Sequence, residues 1–118
     1  VIFEKLRKDM DMELRIKIVH LLAERKHPEI SQNLIRATKD MAPEVRIAAL
    51  QALERGGDYT AASAITDTLK DPEDSVRLQA LKTLNVLQDK RAADLQAEQK
   101  RQEDLRRQQA AEEAKRNK

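Results

Sequence analysis

Arg15, Arg46 and Arg77 recur at a spacing of 31 residues, and each stands six residues after an aspartate, Asp9, Asp40 or Asp71. A column of guanidinium groups at one spacing can grip phosphate, because arginine is a planar and permanently charged donor. It can equally pair with carboxylates that recur in the same register. The matched aspartates favour the second, structural use. Other chemistry is sparse. His20 and His27 are the only histidines, and no carboxylate completes a metal-ligand set with them. They read as ordinary surface histidines. There is no cysteine, which excludes disulfides, thiolate zinc sites and cysteine nucleophiles. Gly56 and Gly57 are the only glycines and lack the downstream Lys-Ser/Thr of a phosphate loop. No catalytic constellation and no cofactor site is expected.

Charge points the same way. The 118 residues carry 23 basic and 21 acidic groups, a surplus of two and not a basic patch. Phe3 and Tyr59 are the only aromatics, too few for base-stacking platforms. No apolar run reaches membrane-spanning length and no signal-peptide pattern is present. The chain opens on Val1 inside an amphipathic stretch, which reads as a fragment whose upstream part, with any targeting signal, lies elsewhere. A cytoplasmic location is the expectation.

The elements that position the Asp and Arg columns follow from the same period. "DMDMELRIKIVHLL", "DMAPEVRIAALQAL" and "DPEDSVRLQALKTL" align without a gap, and Phe3, Leu34 and Ile65 share a further column upstream. Chance does not hold so many columns at one spacing, so this is a repeat protein. Each unit reads as two helices. Leu14, Ile18, Leu21 and Leu22, like Val45, Ala49, Ala52 and Leu53, follow the spacing of one helical face. The preceding helix shows in "PEISQNLIRATK" and "TAASAITDTLK". Pro28, Pro43 and Pro72 fall where helices begin, and "RGGD" is a helix stop. Asp40 and Asp71 are placed to accept backbone amides at a helix start.

An aspartate, a short turn and then Val-Arg-x-x-Ala-Leu-x-x-Leu resembles the HEAT repeat, in the short form found in phycobiliprotein lyase subunits and bacterial scaffold proteins. The resemblance covers about residues 1–88 and implies a right-handed, all-α solenoid of about three helical hairpins. Units are expected at about 1–27, 28–57 and 58–88, the first incomplete. It also implies a ladder between neighbouring units, carried by Asp9/Arg15, Asp40/Arg46 and Asp71/Arg77. The first unit departs from the pattern, with no proline in its turn and Ile18 where alanine is usual.

From Asp89 the repeat stops. Residues 89–118 hold no glycine, proline or β-branched residue, and Lys100/Asp104, Glu103/Arg107 and Glu112/Arg116 fall at helical neighbour spacings. A long polar C-terminal helix is expected, with only Leu95 and Leu105 as large apolar residues. One apolar column remains. Ile16, Ile47 and Leu78 lie about 200° from Leu14, Val45 and Val76 on their helices. Either they form a concave stripe with His20, Gln51, Glu54, Lys82 and Asn85 that binds a partner, or they bury against neighbouring units. The expected function is a non-catalytic protein–protein scaffold or adaptor, with another protein as partner and no evident small-molecule substrate. Two alternatives stand beside it: a subunit of a chromophore lyase or similar modifying enzyme, and weak nucleic-acid binding through the basic pairs of the tail.

Overall fold

A computed structural model describes residues 2–25 and 28–117, with side chains from Asp9 onward except that of Pro28. The expectations for the Phe3 side chain and for His27 lie outside the described residues. Among the described residues five α-helices follow one another: α1 (Ile2–Ala23), α2 (Pro28–Ala37), α3 (Pro43–Gly56), α4 (Ala62–Thr68) and α5 (Asp74–Arg116), with a 3-10 turn at Tyr59–Ala61 before α4. No strand occurs among the described residues. The chain divides into two compact units, Val1–Gln88 and Asp89–Lys118.

Turn chemistry sets the boundaries in the first of these. Pro43 is the first residue of α3, where its fixed φ fits a helix and its missing N–H would have no partner anyway. The Asp40 carboxylate accepts the amide of Ala42 at 2.9 Å, and Asp71 accepts that of Glu73 at 2.9 Å. Each aspartate therefore braces the turn two residues on, in Asx fashion, and leaves the first helical amides to other partners. Pro72 lies in that turn, two residues ahead of α5. Gly57 ends α3 at φ 65°, and its N–H donates to the Leu53 carbonyl at 3.1 Å. Tyr59–Ala61 starts afresh, with the Asp58 side chain accepting the Thr60 amide.

The first unit differs from its expected form. Where the register puts a turn near Asp9, α1 runs on as one helix. "KDMDMEL" offers neither proline nor glycine to stop it, and methionine and leucine favour helix. Of the face expected to be its core, Leu22 packs against the core while Leu14, Ile18 and Leu21 are exposed; Val19 is buried and Met12 and Ile16 pack there instead. Leu14, Ile18 and Leu21 have no helix of their own hairpin beside them, and α1 settles on α3 and α2 by its other side.

The core centres on α3, which has neighbours on both flanks. Val45, Ala48, Ala49, Leu50, Ala52 and Leu53 are all buried there. Val19 from α1, Leu34 from α2, Ala61 before α4, Ile65 within it, and Val76, Ala80 and Leu87 from α5 complete it. Burying each large aliphatic side chain contributes about 1.5–3 kcal/mol. Thr38 and Thr68, buried near the ends of α2 and α4, return their hydroxyls to the carbonyls of Ile35 and Ile65. In Asp89–Lys118 every described side chain is exposed. Helix there is supported by local ion pairs, Arg107 to Glu103 at 2.8 Å and Arg101 to Glu98, each contributing a few tenths of a kcal/mol.

The two glycines make a matched test. Gly57→Ala forces a Cβ into the left-handed region and should destabilise by about 1 kcal/mol. Gly56 is helical, with open space where its Cβ would stand, so Gly56→Ala should be stabilising by about 0.5–1 kcal/mol. Urea melts of both variants read the opposite signs directly.

Candidate functional site

The Asp and Arg columns meet across units. Arg15 of the first unit donates from Nε to Asp40 Oδ2 at 2.9 Å and from Nη2 to Oδ1 at 3.1 Å, a two-pronged grip on the second unit's turn. Arg46 repeats this one unit on: Nη2 donates to Asp71 Oδ1 at 3.0 Å. Its buried Nε faces Oδ2 at 2.8 Å as an ion pair, off the hydrogen-bond line. The six-residue Asp–Arg spacing serves a different bond. Arg46 Nη1 donates to the backbone carbonyls of Asp40 and Met41, at 2.8 and 3.1 Å, and Arg77 Nη1 to that of Asp71 at 2.5 Å. Arg46 thus ties its own turn's backbone while holding the next unit's carboxylate. This use of the guanidinium leaves no donor set aimed at a phosphate.

Burial by itself would raise the Asp40 carboxyl. The hydrogen bonds from Arg15 and the Ala42 amide, with the charges of Arg15 and Arg46, outweigh it and hold the group below the usual carboxylate range. The hydrogen bond to Asp40 raises Arg15 in turn. Two ladder positions have no partner in a neighbouring unit among the described residues. Among the described residues no side chain pairs with Asp9. Gln102 stands 31 residues after Asp71, so Arg77 pairs instead with the exposed Asp74 of its own helix.

The expected stripe separates into two columns. His20, Gln51 and Lys82 occupy one register position and are exposed in all three units. Ile16, Ile47 and Leu78 occupy another. Ile16 and Ile47 are half-buried and pack against the core, while Leu78 is 71% exposed. The apolar column therefore does not point freely to solvent along its length, because a following unit covers the first two rungs. Glu54 is half-buried and its Oε1 accepts the Thr83 hydroxyl at 3.3 Å, which gives it a seam-holding contact, whereas Asn85 is exposed.

A family model for HEAT repeats matches residues 1–85 and again 31–115. The chain belongs to the HEAT repeat family. No curated protein and no solved structure matches it. The family is typically non-catalytic, and HEAT repeats generally mediate protein–protein interaction. Among the described residues no cluster of His, Asp and Glu gathers as a metal-ligand set, and no helix is long and apolar enough to cross a membrane.

Sequence reasoning placed Val19, Leu50 and Leu81 together beside the apolar column and did not foresee that they differ in burial. Leu81 is 48% exposed, although its register mate Leu50 is fully buried. The available signal was the end of the period itself, since a residue that seals against the next unit has nothing to seal against in the last one.

The ladder's two rungs differ in burial and should differ in cost. The Arg46–Asp71 side chains are 11% and 8% exposed, so Asp71→Ala strands a buried guanidinium and should destabilise by about 3 kcal/mol. Asp40→Ala, at the more open rung, should cost about 1–2 kcal/mol. Because the folded Asp40 value is depressed, its contribution is complete above the unfolded carboxylate pKa, about 3.9, and is lost as pH falls through the folded value. Denaturant melts across that acid range should fall less steeply for Asp40→Ala than for the parent.

Proposed function

We propose that this chain is a non-catalytic scaffold or adaptor of the HEAT type that binds a protein partner on the face lined by its second helices, α1, α3 and the first turns of α5. The observation that carries this reading is the His20–Gln51–Lys82 column, one exposed polar rung per unit at a fixed spacing. Such a column offers hydrogen bonds and charge to an elongated partner without disturbing the core beneath. The half-buried edges of Ile16 and Ile47 supply apolar contact beside the polar rungs, and Leu78 and Asn85 extend the row in the third unit. A helical surface of mixed character suits a protein partner better than nucleic acid. The tail's basic residues support that preference, for Arg101 and Arg107 are each paired with a glutamate.

The test replaces all three rungs together, His20→Glu, Gln51→Glu and Lys82→Glu. Exposed substitutions of this kind change stability by about 0.5 kcal/mol or less apiece, so melting should stay close to parental. Proteins retained by the parent chain from its native source, counted by quantitative mass spectrometry, should be lost from the variant. Retention of the same set by both would contradict the reading.

A further inference from the structure

Helix α5 carries a line of uncharged side chains through a densely charged sequence. From Asn85, at steps of three and four residues in turn, the line meets Gln88, Ala92, Leu95, Gln99 and Gln102. Every charged residue between Asn85 and Gln102 falls off it. Alternating steps of three and four keep to one side of a helix and mark the seam of paired helices. All six side chains are exposed, and so is Leu81, one step before Asn85. The local ion pairs of Arg101 with Glu98 and Arg107 with Glu103 support the helix from its charged sides and give the line no role.

The residues flanking the line identify its occupant. We propose that two copies of the chain pair through α5, antiparallel and two-fold symmetric, with Ala92 of each copy against Leu95 of the other. In this alignment Gln88 meets Gln99 and Asn85 meets Gln102, so no charge enters these six layers. Beside the seam, Arg91 comes next to Glu98 of the second copy, Lys82 next to its Glu103 and Arg77 next to its Glu112. Half-buried Leu84 meets Leu105, and the symmetry makes each contact twice. No like charges meet at these positions. Other alignments fail on the same residues. Sliding one helix by a heptad brings Arg91 onto Arg91 or Glu98 onto Glu98, according to direction. A parallel pair puts Arg77 beside Lys82 and Glu98 beside Glu103. Flanking charges set orientation and partner in paired helices, and here they select a single arrangement of two identical chains.

Glu98 and Glu103 already accept from arginines of their own helix, but a carboxylate has room for a second donor. Where the uncharged line ends, the aliphatic stem of Arg106 covers Leu81 of the second copy and keeps its head in water. Leu95 and Ala92 are the only apolar residues among the six, so the pairing is reversible, and its exposed charge contacts make it weaken with salt.

Sedimentation equilibrium on the full chain tests it. The average mass of the parent should rise with concentration from one chain to two and no further. Leu95→Asp places a charge at the centre of the seam and should leave the chain monomeric with parental helicity by circular dichroism. Arg91→Glu and Glu98→Arg each turn two attractive contacts into two repulsive ones and should weaken pairing by about tenfold. Combined on one chain, the two changes restore opposite charges only in the antiparallel alignment, so the double variant should pair like the parent. A parent that stays monomeric up to millimolar concentration would overturn the proposal. So would undiminished pairing of Leu95→Asp, which would place the contact on another face. A double variant that pairs no better than the single ones would overturn the alignment and the proposal with it. These substitutions leave the His20–Gln51–Lys82 column intact, so partner capture by that face is measured independently.

Discussion

Within residues 1–88 everything depends on one arginine contact made twice, in which the side chain reaches from one unit's second helix to the next unit's turn. Arg46 shows the full arrangement. One nitrogen holds the carbonyls of its own turn, another the Asp71 carboxylate, and Asp71 itself bonds the Glu73 amide. Backbone, guanidinium, carboxylate and backbone form a continuous line. A turn that would otherwise leave buried polar groups unmatched is satisfied from both sides. Two short helices of this kind have too little apolar surface to stand alone, and the ladder sets the register in which their neighbours cover them.

Burial then follows position in the row more than residue type. Leu50 is sealed and Leu81 is open, though both are leucines at one register position. Ala52 is sealed and Leu21 is open, so the larger apolar group is the one left in solvent. A stack whose units contact only their neighbours has this property by construction. The unit with neighbours on both sides here holds most of the core. The clustering of buried residues on α3 expresses the same rule.

The hairpins of the second and third units, their turn residues and the two columns that build the ladder were all legible from the 31-residue period. Asp, Pro and Gly act locally, and an Asx turn or a left-handed glycine is specified within a few residues. What stayed hidden was which neighbour each face would meet. Leu14 and Val45 are indistinguishable by helical spacing, yet one is exposed and the other is 1% exposed, because only the second has helices packed on that side. Ile47 left two readings open for the matching reason. An angle of about 200° from Val45 points away from the hairpin, but in a stack that direction leads toward the next unit. Asp9 misled differently: the register required a turn there, while the residues around it had the propensities of a helix.

The claim that the Arg–Asp contact couples neighbouring units is tested most directly by a double-mutant cycle on Arg46 and Asp71. Urea unfolding of the parent, Arg46→Ala, Asp71→Ala and the double variant gives their interaction free energy. A buried charge pair that joins two units should show coupling of at least about 1 kcal/mol, the double variant losing much less than the two single losses combined. Losses that simply add would show that the two side chains are neighbours without being partners, and the ladder would not be what registers the stack.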